Sequence, residues 1–206
     1  MNEEMTPASE GARGKTEHHV RDQIVDAANE HFSHYGYGKT TVSDLAKAIG
    51  FSKAYIYKFF DSKQAIGEAI CSRCLTTIME AAHAAVASGE SATDKYRRLF
   101  KALVTNSLSL FFTDRKLYDI AACSSAERWK SAVDYELQLL ELLTRIVQEG
   151  RDRGEFERKT PIDEVARAIL STMQPYINPL MLQHNLAHIE TAQVEVMNLV
   201  LRSLSP

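Results

Sequence analysis

The stretch at residues 40–63, TTVSDLAKAIGFSKAYIYKFFDSK, constrains the fold more than any other part of the chain. Its first half carries apolar residues at i, i+3, i+4 and i+7, the spacing that places side chains on one face of an α-helix. These residues are Val42, Leu45, Ala46 and Ile49. Thr41 precedes them and Asp44 follows it three residues later, which is the pattern of a reciprocal N-terminal cap. The sequence therefore predicts a short amphipathic helix.

A glycine and a second capping residue follow this helix at once. Gly50 ends it, because a residue without a Cβ adopts the left-handed conformation at little cost, and Ser52 caps the next helix. A helix, a tight turn containing glycine and a second helix form a helix-turn-helix. In the second helix Ile56 and Phe60 are one turn apart and can pack on the first helix. The outward-facing residues are Lys53, Ala54, Tyr55, Tyr57 and Lys58.

This outward face has the residue types of a DNA-reading surface. Ala54 is small enough for the backbone to approach the bases, Tyr55 can contact a base edge or a thymine methyl, and the lysines and second tyrosine can contact phosphate. Lys63 lies in the first turn of the following helix, where a cation indicates a negative partner such as phosphate. The predicted DNA-binding residues are Thr41, Ser52, Lys53, Ala54, Tyr55, Tyr57, Lys58 and Lys63.

The residues from about 20 to 70 resemble the tetracycline-repressor (TetR) family of bacterial transcription regulators. The matching positions are Phe32, Gly36, Tyr37, Thr40, Thr41, Val42, Asp44, Leu45, Ala46, Gly50, Phe51, Ser52, Lys53, Ile56, Tyr57, Phe60, Ser62 and Lys63. Tyr55 stands where the family usually has a small residue and Lys58 where it often has His or Arg, and both leave the docking mode intact. The Arg-Gly-Glu-Phe segment at 153–156 also resembles the family, more loosely.

The composition fits a globular protein but does not by itself mark a nucleic-acid binder. The chain has 206 residues, 45% of them hydrophobic, which is enough for a sizeable core in one or two domains. Its formal net charge is −3, whereas nucleic-acid-binding domains are often basic. Between residues 39 and 63, however, there are five lysines and only two acidic residues. Positive charge is therefore concentrated in the helix-turn-helix.

The cysteines and the hydropathy indicate a cytoplasmic protein. Cys71, Cys74 and Cys123 are odd in number and no signal peptide precedes them, which favours reduced thiols over a disulfide scaffold. No apolar run approaches the roughly 18 residues of a membrane span. We expect no membrane segment and no cofactor.

The N-terminal part of the chain supplies the first helix of the DNA-binding domain. Residues 1–16 are rich in Glu, Gly and Ser with almost nothing apolar, which predicts a disordered arm. The basic residues of this arm and Arg21 could contact DNA; the alternative is that the arm is only a solvated tail. Apolar residues keep helical spacing over residues 18–35. Residues 17–61 are therefore predicted to form a three-helix DNA-binding domain.

Residues 62–206 are predicted to form a larger helical domain for ligand binding and dimerisation. The pattern indicates helices at residues 62–88, 93–112, 115–122, 127–149, 161–184 and 188–204, and no segment has the period of a strand. Pro175 and Pro179 kink or break the fifth of these helices. The first continues from the DNA-binding domain without a linker, so tilting its far end would turn its near end. The predicted fold class is all-α.

The last two helices carry more apolar residues than two edge helices should expose. A two-fold interface of four helices would bury them, and the family resemblance implies the same homodimer and a palindromic operator. The predicted interface residues are Ile169, Ile189, Val196 and Val200. The alternative is that these stripes pack inward on their own subunit.

Aromatic and polar-tipped side chains in the second half favour a cavity for a small, largely apolar effector that releases the DNA. The candidate lining residues are Met79, His83, Phe111, Tyr118, Trp129, Tyr135 and Met173. The alternative is a DNA-binding dimer without such an effector, controlled by a protein partner or active in chromosome organisation. A filled core would favour that alternative.

Other motifs do not support an enzyme or a metal site. SHYGYGKT at 33–40 departs from the phosphate-loop pattern at its first residue and follows a helix instead of a strand. Cys71-x-x-Cys74 lacks a second ligand pair for zinc, and His184 with His188 lacks the glutamate of a zinc-protease motif. We find no catalytic constellation, so an enzyme is not expected.

Overall fold

The computed structural model describes residues 9–113 and 115–206, with side chains from residue 17 onward except at 113 and 116. All regular structure within these ranges is helical, which confirms the predicted all-α class. The helices are α1 (Ser9–Tyr35), α2 (Val42–Ile49), α3 (Lys53–Ile56), α4 (Lys63–Ala87), α5 (Ala92–Thr113), α6 (Arg115–Ala126), α7 (Lys130–Asp152), α8 (Ile162–Ile177), α9 (Pro179–Leu182) and α10 (Ile189–Ser203), with a 3-10 turn at Leu186–His188 before α10.

The chain divides into two compact units, and the division falls inside α4. The first unit ends at Ile70 and the second runs from Cys71 to Pro206. The sequence places a domain boundary slightly earlier, between residues 61 and 62, and that boundary stays a prediction. The backbone of α4 therefore belongs to both units.

In the first unit, α2 has the two caps that its sequence predicts. The Thr41 hydroxyl accepts a hydrogen bond from the Asp44 N–H at 3.2 Å, and the Asp44 carboxylate accepts one from the Thr41 N–H at 2.9 Å. Gly50 ends the helix with a φ of 76°, and the Phe51 N–H donates to the Ala46 carbonyl at 2.9 Å. These bonds satisfy backbone groups that a short helix would otherwise leave unpaired.

Helix α3 is shorter than the sequence predicts. The Ser52 hydroxyl accepts from the Tyr55 N–H at 3.1 Å and so caps its first turn. The regular helix ends at Ile56, but helical hydrogen bonding continues as far as Phe60, whose N–H donates to the Ile56 carbonyl at 3.1 Å. Ile56 and Phe60 are both buried, as their spacing predicts.

Helix α1 begins at Ser9, earlier than the predicted start at residue 18. The predicted arm is therefore helical at residues 9–16, where the helix formers Glu, Ala, Arg and Lys outnumber two glycines. Residues 1–8 of that arm, and the side chains of its basic residues, lie outside the described residues. Arg21 is exposed, but its guanidinium is engaged within the unit: it donates to the Phe59 carbonyl at 2.8 Å and lies 4.2 Å from the Phe60 ring centroid.

The second unit packs around α5, α7 and α8. Helix α7 contacts α5 and α8, and α8 also contacts α5 and α10. Tyr96, Leu99, Phe100, Leu139, Leu143 and Met173 form the centre of this core. Pro175 is accommodated within α8, which ends at Ile177, and Asn178 then caps the short α9 by accepting from the Leu180 N–H at 2.9 Å. The predicted helix at 161–184 is thus broken before Pro179.

The connection between α7 and α8 is closed by an aromatic ring over a glycine. Gly150 lies inside α7, which continues to Asp152 beyond the predicted end at residue 149, and Phe156 folds back so that its buried ring covers the glycine. A Cβ at residue 150 would lie 2.1 Å from the ring carbon Cδ2. Gly154, with a φ of 73°, makes the reversal that brings Phe156 into this position.

We predict that Gly150→Ala destabilises the protein. Alanine in a helix interior ordinarily stabilises by roughly 1 kcal/mol relative to glycine, but here the added methyl must displace a packed ring, at a cost of about 1–3 kcal/mol. Urea denaturation should therefore give a lower free energy of unfolding. In the double variant Gly150→Ala with Phe156→Leu the two effects should not add, and strict additivity would contradict the contact.

Candidate nucleic-acid interface and internal cavity

The outer side of α3 presents the residues that the sequence assigns to it. The exposed residues are Lys53, Ala54, Tyr57 and Lys58, and 42% of the surface of Tyr57 is accessible to solvent. The Lys53 ammonium lies 5.8 Å from the centroid of the Tyr57 ring. An exposed aromatic ring beside cations, next to a capped helix N-terminus, is suited to contact with a phosphate backbone.

Tyr55 is held more tightly than a free base-reading side chain. Its ring is half-buried and packs edge-on against Phe51 at 5.0 Å and Phe59 at 5.3 Å between centroids. The Lys58 ammonium lies 5.7 Å from the same ring. Tyr55 therefore stabilises the turn around α3, which sequence spacing alone did not indicate, and its base-reading role stays a prediction.

The hydroxyls of Thr41 and Ser52 serve first as caps. Thr41 Oγ1 also donates to Asp44 Oδ2 at 2.7 Å, and these hydrogen bonds from Thr41 hold the pKa of the Asp44 carboxyl below its usual range. The Thr41 proton is thereby used within the cap. The Ser52 hydroxyl only accepts, from the Tyr55 N–H, so its own proton is available to a phosphate oxygen.

Lys63 differs most from its predicted role as a phosphate contact. Its half-buried ammonium donates to the carbonyls of Tyr37 at 3.0 Å and Thr40 at 3.1 Å, and lies 4.3 Å from the Tyr37 ring centroid. An ammonium has three donors, so at most one remains for DNA. The structure shows that Lys63 fastens the start of α4 to the segment that leads into α2, and its phosphate contact stays a prediction. We call this arrangement the Lys63 clamp.

The second unit contains a cavity of about 90 Å³. Helix α4 contributes four residues to its wall, Cys71, Cys74, Leu75 and Ile78, and α5 to α9 contribute the rest. Most of the wall is apolar. The core of this unit is therefore not completely filled.

Only two of the seven predicted effector residues line this cavity, Tyr118 and Tyr135. Met79 and Met173 are buried in the surrounding core, and Trp129 is buried with its indole N–H donating to Glu127 at 2.7 Å. Phe111 packs edge-on against Tyr118 at 4.7 Å without reaching the cavity, and His83 is exposed. The structure does not place these five at the cavity wall, because residue type does not reveal which side of a helix faces a void.

Sequence reasoning also missed the polar residues of the cavity wall, which include Ser107, Gln174 and Asn178. One signal was available. Gln174 and Asn178 are four residues apart on otherwise apolar turns around Pro175, and buried polar groups need partners. The Asn178 amide donates to Gln174 Oε1 at 3.1 Å and to Ser125 Oγ at 3.2 Å.

The four predicted interface residues pack on their own subunit. Ile169, Ile189 and Val200 are buried in the core of the second unit, and Val196 is half-buried against it. Three of the four therefore face inward, as the alternative considered from the sequence expects, whereas Val196 keeps part of its surface accessible. The exposed apolar residues of α10 are instead Val194, with 44% of its surface accessible, and Leu199, with 61%.

The cysteines are free, and Cys71 and Cys74 line the cavity. Burial raises the pKa of the Cys74 thiol, so it is neutral near pH 7. Among the residues with described side chains, no group of three or more His, Cys, Asp or Glu is placed to hold a metal ion. No helix within the described ranges is both long and apolar enough to cross a membrane.

Solved structures share this fold over nearly the whole chain. The fatty acid degradation regulator FadR from Bacillus halodurans aligns over 97% of both chains with a TM-score of 0.67 and 18% identity. FadR from Bacillus subtilis in complex with stearoyl-CoA covers 88% of this chain and 98% of its own, with a TM-score of 0.66 and 20% identity. At these identities the likeness shows the fold alone.

A curated relative matches a short stretch of the chain. The biofilm operon icaADBC HTH-type negative transcriptional regulator IcaR of Staphylococcus aureus (strain Newman) is 42% identical over 55 residues. This match covers 27% of the chain and spans 30% of the relative's length.

Two family models cover most of the chain. The model described as bacterial regulatory proteins, tetR family, matches residues 24–70, and the model described as tetracyclin repressor-like, C-terminal domain, matches residues 92–197. The proteins of this family are transcription regulators and not enzymes. Because the second match alone covers just over half of the 206 residues, the chain belongs to the tetracycline-repressor (TetR) family of bacterial transcription regulators.

Proposed function

We propose that this regulator is a repressor that binds a palindromic operator as a homodimer and is released by a small-molecule effector. One observation carries the proposal. Helix α4 holds the helix-turn-helix through the Lys63 clamp at one end and supplies four residues to the cavity wall further along. A ligand that shifts those turns of α4 would also displace Lys63, because the helix backbone is continuous from Lys63 to Ala87.

On the DNA side, the outer face of α3 would enter the major groove. Ala54 allows close approach, while Lys53, Lys58 and Tyr57 are placed to contact the phosphates on either side. Ser52 adds a hydroxyl donor at the N-terminus of α3. The curated relative is a negative regulator, which supports repression over activation.

The effector is proposed because the second unit leaves a cavity, whereas a purely architectural dimer could fill its core. An effector-free regulator controlled by a protein partner remains the second candidate. To shift a population from 99:1 to 1:99, an effector must favour the released conformation by about 5.5 kcal/mol. Stearoyl-CoA occupies the Bacillus subtilis neighbour, but a cavity of about 90 Å³ does not suggest so long a ligand here.

Dimerisation is proposed from the outer surfaces of α8 and α10. Regulators of this family bind operators as dimers. The outer side of α8 carries the small exposed residues Ala168, Ser171 and Thr172, and α10 exposes Val194 and Leu199. Small residues allow close helix approach, and the two apolar side chains would lose their contact with water. As an operator-binding protein, the dimer would act in the cytoplasm.

We predict that Lys53→Ala and Lys58→Ala each reduce the salt dependence of operator binding. Each lost phosphate contact lowers the slope of log K against log salt by about one, so a dimer should lose about two. Binding measured by fluorescence anisotropy between 50 and 300 mM salt tests this expectation.

Lys63→Met is the matched comparison, because its ammonium is already engaged by two carbonyls. It should weaken binding at every salt concentration while changing the slope by less than the other two variants do. A slope change of about two for Lys63→Met would show that Lys63 contacts phosphate in the complex.

We predict that Leu199→Glu produces a monomer with weak operator affinity. A carboxylate placed in an apolar interface without a partner costs several kcal/mol. Leu137→Glu on α7 is the matched control, since Leu137 is 58% exposed and Leu199 is 61% exposed. Analytical ultracentrifugation should show a monomer for the first variant and a dimer for the second. A dimer in both cases would place the interface elsewhere.

A further inference from the structure

The wall of the cavity in the second unit carries almost no charge. Twenty described residues line it, and none of these is a lysine, arginine or histidine. Glu136 is the single carboxylate among these twenty. Its side chain is 34% exposed and forms an ion pair with Arg128 at 3.4 Å. The negative charge of Glu136 is therefore partly solvated and partly neutralised by Arg128.

Several polar groups of the wall already have partners. The Tyr118 hydroxyl donates to the Pro179 carbonyl. The Asn178 amide is engaged on both sides, donating to Gln174 and Ser125 and accepting from the Leu180 N–H. These groups shape the wall but have little capacity left for a ligand.

Three other polar groups lack hydrogen-bond partners among the described residues. They are the hydroxyls of Tyr135 and Ser107 and the amide nitrogen of Gln174. Burial raises the pKa of the Tyr135 phenol, so it remains protonated and can donate. All three groups are neutral near pH 7, and all three can donate a hydrogen bond.

From this distribution we infer that the cavity binds a compact, uncharged, largely apolar molecule whose polar group accepts hydrogen bonds, such as an amide or ketone carbonyl, and discriminates against carboxylates. The inference depends on the proposed function, because it names the class of effector that the same cavity would take. A buried anion needs a cationic partner, and the described wall provides none. A carbonyl oxygen can instead accept from Tyr135, Ser107 or Gln174.

The size of the cavity limits the ligand as well. At about 90 Å³ it is well below the several hundred Å³ that is usual for drug-sized ligands, so a molecule of one ring with a short substituent is the appropriate probe. Benzamide, benzoate and benzamidinium have nearly the same shape and differ in charge. This series separates charge from size.

Isothermal titration calorimetry of the purified full chain at pH 7 with these three compounds tests the inference. Benzamide should bind at least about tenfold more tightly than benzoate, because only benzoate must be buried as an unpaired anion. Benzamidinium should also bind more weakly than benzamide, because Glu136 is already paired with Arg128. Equal or tighter binding of benzoate or benzamidinium would overturn the inference.

Three variants locate the effect. Gln174→Lys places a cation in the wall and should raise benzoate affinity, whereas Gln174→Met, which is similar in size and neutral, should not. Tyr135→Phe should weaken benzamide while leaving toluene unchanged. Circular dichroism melting confirms that each variant is folded, and the comparison of the three compounds on the unmodified chain needs no variant.

The outcomes distinguish this inference from the proposed function. A preference for benzoate would overturn the charge selectivity and leave an effector-responsive repressor intact. Binding of none of the three compounds would overturn the cavity as an effector site, and the inference with it. Benzamide binding that Tyr135→Phe and Gln174→Met both leave unchanged would contradict the assigned donors.

Discussion

The function proposed for this chain depends on how the first residue of α4 is held. Lys63 donates two hydrogen bonds to backbone carbonyls of Tyr37 and Thr40, and its charge lies over the Tyr37 ring. Hydrogen bonds that involve a charged group contribute roughly 1.5–3 kcal/mol each, more than those between neutral groups. The Lys63 clamp therefore joins α4 to the segment that caps α2. It adds to the packing of Ile66 and Ile70, which are buried hydrophobic residues in the first turns of α4.

Helix caps and a tight turn, formed by residues close in sequence, set the local structure of the rest of the DNA-binding unit. Thr41 with Asp44, Gly50 and Ser52 set the ends of two helices that are too short to be stable alone. Arg21 adds a longer-range contact by donating to Phe59 and covering Phe60. These fixed contacts hold Lys53, Tyr57 and Lys58 on one exposed face, which is the property a DNA-reading surface requires.

The sequence predicted local structure well because local structure here has local causes. The caps at Thr41 and Ser52, the left-handed turn at Gly50 and the break before Pro179 each follow from one or two neighbouring residues. Predictions that needed to know which way a helix faces were less successful. The apolar side chains of Ile169, Ile189 and Val200 pack in the core of their own subunit. Met173 is also buried in that core and does not line the cavity. The carbonyl partners of Lys63 were missed because they are 23 and 26 residues away in the chain, and such distant acceptors cannot be recognised from sequence spacing.

Hydrogen–deuterium exchange tests, without knowledge of the effector, whether α4 couples the operator to the cavity. The operator would first be located by footprinting on DNA flanking the gene that encodes this chain. Exchange is then compared by mass spectrometry in the free and operator-bound protein. Coupling through α4 predicts slower exchange on operator binding at residues 41–63 and also at residues 71–78 of α4, four of which line the cavity and none of which is predicted to contact DNA. Protection confined to residues 41–63, with unchanged exchange at 71–78, would contradict it.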